Sequence, residues 1–219
     1  MRADIGGFPV QGVVLVRKTR EEAEKTRKQI VDSARAVFHR CGVSRSTLEK
    51  IAQEAGVTRG AVYWHFKDKS ELFFAVREDI FVPLLERTDS ILFSEAYADP
   101  LDAIQASLQE FFRVLDDCSV VREVFEIMIL RCEYVQEFAS VQEEVNRPAI
   151  EFLAKIERMY ARAAERGTLR PGLDPLAAAR DTWAFTSGLL HLALECRLEE
   201  NLATDVATLI VAHMALRRA

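Results

Sequence analysis

Thr58, Arg59, Tyr63, His65 and Lys69 place a hydroxyl, a guanidinium, a phenol, an imidazole and an ammonium within a short stretch of chain. All of them donate hydrogen bonds to anionic oxygen. The chemistry that suits such a set is contact with phosphate oxygens and with the polar edges of bases. Arg59 can serve a guanine or a phosphate, and Thr58 a phosphate or a thymine methyl. Gly60 lacks a side chain and lets the backbone approach a partner closely. Tyr63 and Trp64 also admit a plainer reading as core aromatics, and the residues leave that choice open.

Other chemistries find little support. His39, His65, His191 and His213 form no H-E-x-x-H or related ligand spacing, and no serine stands in a G-x-S-x-G turn. Glu126, Glu133 and Asp181 read as helix-surface acids. Cys41, Cys118, Cys132 and Cys196 make no CxxC pair. They are expected to be free thiols packed as small hydrophobes, with a redox-sensing pair such as Cys118/Cys132 as the alternative. No catalytic residue, metal or cofactor is expected; an all-α enzyme is the remote alternative.

The elements that must position the donors are helices. Apolar residues recur at three- and four-residue steps after residue 16, and period-two alternation is missing. Ile30, Ala34, Val37 and Phe38 stripe a first helix over 19–41, closed by Gly42. Ser46-x-x-Glu49 is a capping box that opens a second helix, and Gly56 breaks it. Thr58 is a suitable N-cap for a third helix over 58–65. Ile51, Ala52, Ala55, Val57 and Val62 supply the buried faces that join these two, with Ala52 small enough for a steep crossing. The spacing predicts a helix-turn-helix over 46–66, its third helix lying in a DNA major groove.

Further along, Asp68-x-x-Glu71 opens a long helix running to about 94. Asp99-Pro100 and Asp174-Pro175 each place an N-cap before a proline at the first helical position, predicting helices over 100–115 and 175–199. Others are expected at 121–130, in a segment ending at Arg166 before Gly167, and at 204–216. Pro148 marks a kink or a helix start. The fold class is therefore all-α: a three-helix DNA-binding domain over 17–67, then a larger helical ligand-binding and dimerisation domain over 68–219. Residues 1–16 are expected to be a flexible extension.

The formal net charge of −5 conceals a division. Residues 17–79 hold 14 Lys and Arg against 10 Asp and Glu, whereas residues 80–219 hold 14 against 23. A basic head on an acidic body suits a protein that offers one end to polyanions. No apolar run approaches the roughly 18–20 residues that span a bilayer. The N-terminus has no strong basic region or A-x-A site of an export signal. A soluble cytoplasmic protein without membrane contact is expected.

The segment TRKQIVDSARAVFHRCGVSRSTLEKIAQEAGVTRGAVYWHFKDKSELF, residues 26–73, resembles the N-terminal domain of the TetR family of repressors. Its TRGAVYWHFKDKSELF portion is close to a signature. The resemblance implies that Thr58, Arg59, Gly60, Tyr63, His65 and Lys69 contact operator DNA, with Ser46 and Thr47 reaching phosphates; Trp64 joins this candidate set. VRKTREEAEKTRKQI, EIMILRCEYV, ERGTLRPGLD and FTSGLLHLAL extend the resemblance to the AcrR/TtgR type of multidrug-efflux regulator. Residues 1–15 have no counterpart there, as a genuine arm or as the product of an upstream start codon. The implied function is a ligand-released repressor of an efflux operon, with lipid, catabolic or antibiotic-biosynthesis genes as the alternative targets.

A repressor needs a signal, and the body carries surplus apolar side chains. Ile104, Leu108, Phe111, Leu115, Phe125, Ile129, Phe152, Ile156, Trp183 and Leu190 correspond roughly to cavity walls in the resembling regulators. Taken singly, each reads equally well as core. Ser187, His191 and Arg131 are candidate polar anchors. Phe125, Ser187 and Ile129 stand where such regulators can carry Asn, acid or His, so a neutral hydrophobic or aromatic effector is expected. The helix from Pro175 is apolar almost all round, with Ala177, Ala178, Phe185, Leu189, Leu192 and Leu194. With Val206, Leu209, Ile210 and Met214 it predicts a homodimer through the last two helices. Pro83 is a candidate flexing point in the helix that joins head to body.

Overall fold

The computed structural model describes residues 12–134, 138, 141–195 and 200–219, with backbone alone for 12–18 and 200–205. Among these residues the secondary structure is helical. The helices are α1 (Gly12–Cys41), α2 (Leu48–Glu54), α3 (Arg59–His65), α4 (Lys69–Leu92), α5 (Pro100–Asp117), α6 (Ser119–Leu130), α7 (Val141–Glu165), α8 (Pro175–Glu195) and α9 (Glu200–Ala215). One β-bridge among the described residues, Leu169 with Arg218, ties the last residues to the α7–α8 connection.

Helix α1 begins seven positions before the expected residue 19, so residues 12–16 of the expected extension are helical. Residues 1–11 lie outside the described residues, as do Cys196 and the side chain of Thr204. The α2 N-cap is Thr47, whose hydroxyl accepts from the Lys50 N–H, and not Ser46. Ser46 is 2 % exposed, and its hydroxyl donates inward to the Val43 carbonyl at 2.6 Å. The cap is thus displaced by one residue, and with Lys50 three positions after Thr47 the reciprocal acid of a capping box is missing.

The other caps fall where the side chains dictate. Asp68, Asp99 and Asp174 accept from the N–H groups of Glu71, Leu101 and Ala177. Gly167, at φ +73°, ends α7 in a Schellman motif: its N–H reaches the Ala164 carbonyl, and that of Thr168 reaches Ala163. Pro148 neither starts nor ends a helix, since α7 runs through it from Val141.

The head packs around Ile30, Val37 and Phe38 of α1, with Ile51, Val62 and Phe66, all at most 1 % exposed. The stripe expected on the first helix is therefore its core face. In the body, α4 packs along α5 and α7 along α8. The connecting helix α4 belongs to both units: Leu72 and Phe73 are buried near its start and Leu84 and Leu92 further along.

Candidate nucleic-acid interface and effector cavity

The turn between α2 and α3 is a second Schellman motif. Gly56 adopts φ +64°, a left-handed conformation that side chains other than glycine's resist. Its N–H donates to the Gln53 carbonyl at 3.1 Å, and the Val57 N–H donates to Ala52 at 3.0 Å. From α1, Gln29 Nε2 donates to the Ala55 carbonyl at 2.7 Å and takes up another free group of the α2 end. The Thr58 hydroxyl then accepts from the Ala61 N–H at 3.2 Å and starts α3.

Helix α3 turns Val62 inward and Arg59, Gly60, Tyr63 and Trp64 outward. Tyr63 is 45 % and Trp64 72 % exposed, so the core reading fails for both. Arg59 Nη2 donates to the Tyr63 hydroxyl at 3.2 Å, and the guanidinium lies over the Tyr63 ring, 5.2 Å from its centroid. Arg59 also pairs with Glu49 at 2.8 Å, and both side chains are well exposed. Such a pair contributes little energy and yields readily to a phosphate.

His65 packs edge-on against Trp64, with ring centroids 4.5 Å apart. Burial, aided by the Arg27 cation, pushes its imidazole below the ordinary value of 6.5. His65 is then neutral at pH 7 and offers a single N–H. Lys69 Nζ donates to the Ser46 carbonyl at 3.3 Å, beside Thr47. Of the expected phosphate pair, Thr47 is exposed while the Ser46 hydroxyl is spent on Val43. The structure therefore removes the Ser46 side chain from the candidate surface.

In the body a cavity of about 290 Å³ opens between α4, α5, α6, α7 and α8. Leu108, Phe111, Phe125, Ile129, Phe152, Trp183, Ser187, Leu190 and His191 line it. Three aromatic pairs build the walls: Phe81–Phe125 at 4.8 Å, Phe111–Phe125 at 5.4 Å and Phe152–Trp183 at 5.9 Å between centroids. Three of the wall hydroxyls turn to the backbone: Ser107 donates to Thr88, Thr88 to Leu84 and Thr186 to Thr182. His191 Nδ1 lies 2.9 Å from the Ser187 carbonyl. With these three engaged, Asn146, Ser187 and His191 remain as polar groups in a wall that is otherwise apolar.

Four expected cavity residues lie elsewhere. Leu115 is buried and borders a different cleft, between α1, α5, α6, α8 and α9. Ile104 and Ile156 are fully buried in the packing between helices. Arg131 is exposed at the C-cap of α6, where its carbonyl accepts from the Val43 N–H at 2.9 Å. The cleft beside Leu115 is larger than the cavity, at about 600 Å³. Its rim charges already pair, His39 with Glu126 and Arg122 with Asp116, and its lining is more polar than that of the smaller cavity.

Residues 30–76 match the sequence model for bacterial regulatory proteins of the tetR family. The transcriptional regulator TtgR of Pseudomonas putida is 35 % identical over 180 residues, covering 81 % of this chain and 84 % of its own. The chain belongs to the tetR family of bacterial regulatory proteins. The crystal structure of NalD, the secondary repressor of the MexAB-OprM multidrug efflux pump in Pseudomonas aeruginosa, superposes with a TM-score of 0.79. It is 32 % identical, covering 91 % of this chain and 98 % of its own. The SmeT–triclosan complex gives a TM-score of 0.78 at 34 % identity, over 89 % of this chain and 92 % of its own.

In this tetR-family chain the matched segment is the one that carries Thr58 to Lys69. Two helices connect it to the cavity. Helix α4 leaves Lys69 at one end and lends Phe81, Leu85 and Thr88 to the cavity wall. Helix α6 lends Phe125, Met128 and Ile129 and clasps α1 through Glu123–Arg35 and Glu126–His39. The α4 residues, with Val145, Asn146, Pro148 and Ala149 of α7, escape a reading of sequence. Their trace in it is that α4 carries apolar residues on more than one face (Phe73, Phe74, Ile80, Phe81 and Val82).

Cys41, Cys118 and Cys132 are free and partly buried. Burial raises the Cys132 thiol to about 11, which removes the thiolate that redox sensing needs. Glu126 and Asp181, expected as plain surface acids, pair with His39 and Arg217. No group of residues able to hold a metal occurs among the described residues, and no described helix is long and apolar enough to cross a membrane.

Proposed function

We propose that this chain is a cytoplasmic repressor of a multidrug efflux operon, released from a palindromic operator by a neutral hydrophobic or aromatic effector. The observation that carries the reading is the span of α4, with Lys69, a proposed DNA contact, at one end and the cavity wall at Phe81, Leu85 and Thr88. A ligand that favours one cavity shape shifts the population of head orientations by its differential affinity for them. Pro83, exposed within α4, is the point where that helix lacks a backbone donor and can flex. NalD is described as the repressor of an efflux pump, and SmeT is seen bound to triclosan, an apolar phenol.

Thr47, Thr58, Arg59, Gly60, Tyr63, Trp64, His65 and Lys69 form the proposed DNA surface. A single helix-turn-helix reads few base pairs, so a two-fold dimer reads the palindrome. Leu192, Leu209 and Val211 on α8 and α9 are each at least 40 % exposed and suit the dimer interface.

Footprinting across the promoters flanking the gene, with and without neutral aromatic compounds, tests the reading. A palindromic footprint that fades with such compounds is expected. Protection insensitive to them, or release only by small charged metabolites, overturns the effector assignment. The absence of any transporter gene under the protected promoter overturns the efflux assignment.

A further inference from the structure

Glu49 is an acid among the donors proposed to face DNA. It stands in the first turn of α2, two positions after the cap Thr47, and is exposed. Its Oε1 lies 2.8 Å from Nη1 of Arg59, the first residue of α3. Helix α3 has no acid in its own first turn, so the partner comes from α2. The same guanidinium donates through Nη2 to the Tyr63 hydroxyl at 3.2 Å and lies over the Tyr63 ring, 5.2 Å from its centroid. The backbone N–H of Glu49, then the Arg59 cation and the Thr47 hydroxyl, hold the Glu49 carboxyl below its ordinary value of 4.5. It is therefore charged at pH 7.

We propose that Glu49 is a positioning residue that commits Arg59 to a base edge rather than to a phosphate, and so sets a guanine preference in each half-site. The proposal rests on the reading of α3 as the helix that enters the major groove. A phosphate that displaces Glu49 from Arg59 leaves a bare carboxylate within a few ångströms of its own negative charge. That separation lies well inside the screening length of about 8 Å at physiological salt. A guanine edge instead offers the neutral acceptors O6 and N7, which Arg59 can meet while Glu49 stays paired.

The donors permit this. Glu49 and Tyr63 engage one N–H each of Nη1 and Nη2, and the guanidinium fork keeps others for a bidentate contact. The restraint is also geometric. A guanidinium held at both Nη atoms and across its face has less freedom to lose when it meets a base. As a surface ion pair the contact adds little to stability; its effect lies in which partner Arg59 takes on DNA.

Selection by the full-length protein from a duplex library with a randomised centre supplies the preferred sequence. The probes are that duplex, copies in which each G·C pair of one half-site is replaced by A·T, and an unrelated duplex. Affinities across a salt series are compared for the unaltered protein, Arg59→Met, Glu49→Ala and the double variant. Both positions are exposed, and alanine suits the surface of α2. The unaltered protein should lose at least about five-fold in affinity at one G·C position. In Arg59→Met that position should cease to matter. In Glu49→Ala its discrimination should fall several-fold while binding to the unrelated duplex tightens. The slope of log K against log salt should steepen by about 0.9 for each Arg59 that turns to a phosphate. The double variant should discriminate as Arg59→Met does.

Equal tightening of Glu49→Ala on every duplex, with discrimination intact, overturns the proposal and leaves Glu49 as a bystander charge. Equal weakening of Arg59→Met on every duplex overturns it too, because Arg59 is then a phosphate ligand. Selection that enriches no sequence removes the DNA reading of α3 itself, and the proposal falls with it.

Discussion

Arg77 Nη1 donates to the carbonyl oxygen of Glu144 at 2.9 Å. That carbonyl is the one whose helical partner would be the nitrogen of residue 148, and residue 148 is a proline without an N–H. A cation on α4 thus completes the backbone hydrogen bonding of α7 at the cavity wall. The arrangement explains how Pro148 sits inside a continuous helix. It also explains why Arg77 is 9 % exposed, stacked against Phe74 and Phe81, at the cost of a lowered affinity for its own proton through burial.

Arg77→Ala should lower stability by about 1–3 kcal/mol, the usual penalty for stranding a buried polar group. Arg77→Met, which removes a buried charge but fills its space, should lose less. Urea denaturation midpoints separate the two, and equal losses would argue that volume alone matters at this position.

On α3, Arg59→Ala and Tyr63→Phe should both weaken operator binding while fold and dimer remain. About 1–3 kcal/mol is expected for Arg59 if it reads a base, and about 1 kcal/mol for the Tyr63 hydroxyl. Fluorescence anisotropy with labelled operator gives the affinities. Unchanged affinity for Tyr63→Phe would place its hydroxyl away from phosphate.

Cavity and core should part company under mutation. Trp183→Ala, in the cavity wall beside Phe152, should blunt the response to effector with little loss of operator affinity. Because it borders an existing space, its stability loss should fall short of the roughly 3–5 kcal/mol typical of Trp→Ala in a packed core. Ile156→Ala, at a fully buried position, should instead cost about 2–5 kcal/mol. Calorimetric titration and thermal unfolding on the same samples give both quantities.

Acid should weaken the body through His213. Its imidazole is buried on α9, 3.1 Å from the Thr182 hydroxyl and stacked on Phe185, and burial lowers it from 6.5 to about 4. Between these values the unfolded chain binds a proton that the folded chain refuses. Stability is therefore complete above pH 6.5, falls as pH drops through the window and levels off below about 4. The shift corresponds to roughly 3 kcal/mol. Denaturation midpoints at pH 7 and pH 4.5 should differ more for the unaltered protein than for His213→Gln. Equal pH dependence in both would assign the effect to other groups.

The head was legible from residue types because each demand on it is local. Gly56 is needed where φ is positive, Thr58 supplies a side-chain oxygen at a helix start, and Val62 and Phe66 repeat at helical spacing. The capping box misled by one residue for an equally local reason: Ser46 and Thr47 are both competent caps, and packing turned the Ser46 hydroxyl to Val43. The cavity was legible only as a set of apolar helices. Ile104 and Leu108 lie one turn apart on α5, yet only Leu108 lines the space, because neighbouring helices close over Ile104.

The sequence by itself determined the all-α fold, the helix-turn-helix and the basic head on an acidic body. These follow from spacing, caps and charge, which act over a few residues. Only the tertiary structure decided that Tyr63 and Trp64 face outward, that Ser46 is spent and that α4 walls the cavity. It also decided that Arg77 meets Glu144 and Phe138 meets Lys69. Each of those pairs joins positions 67 or more residues apart. No local pattern encodes such a meeting, because it depends on how whole helices pack.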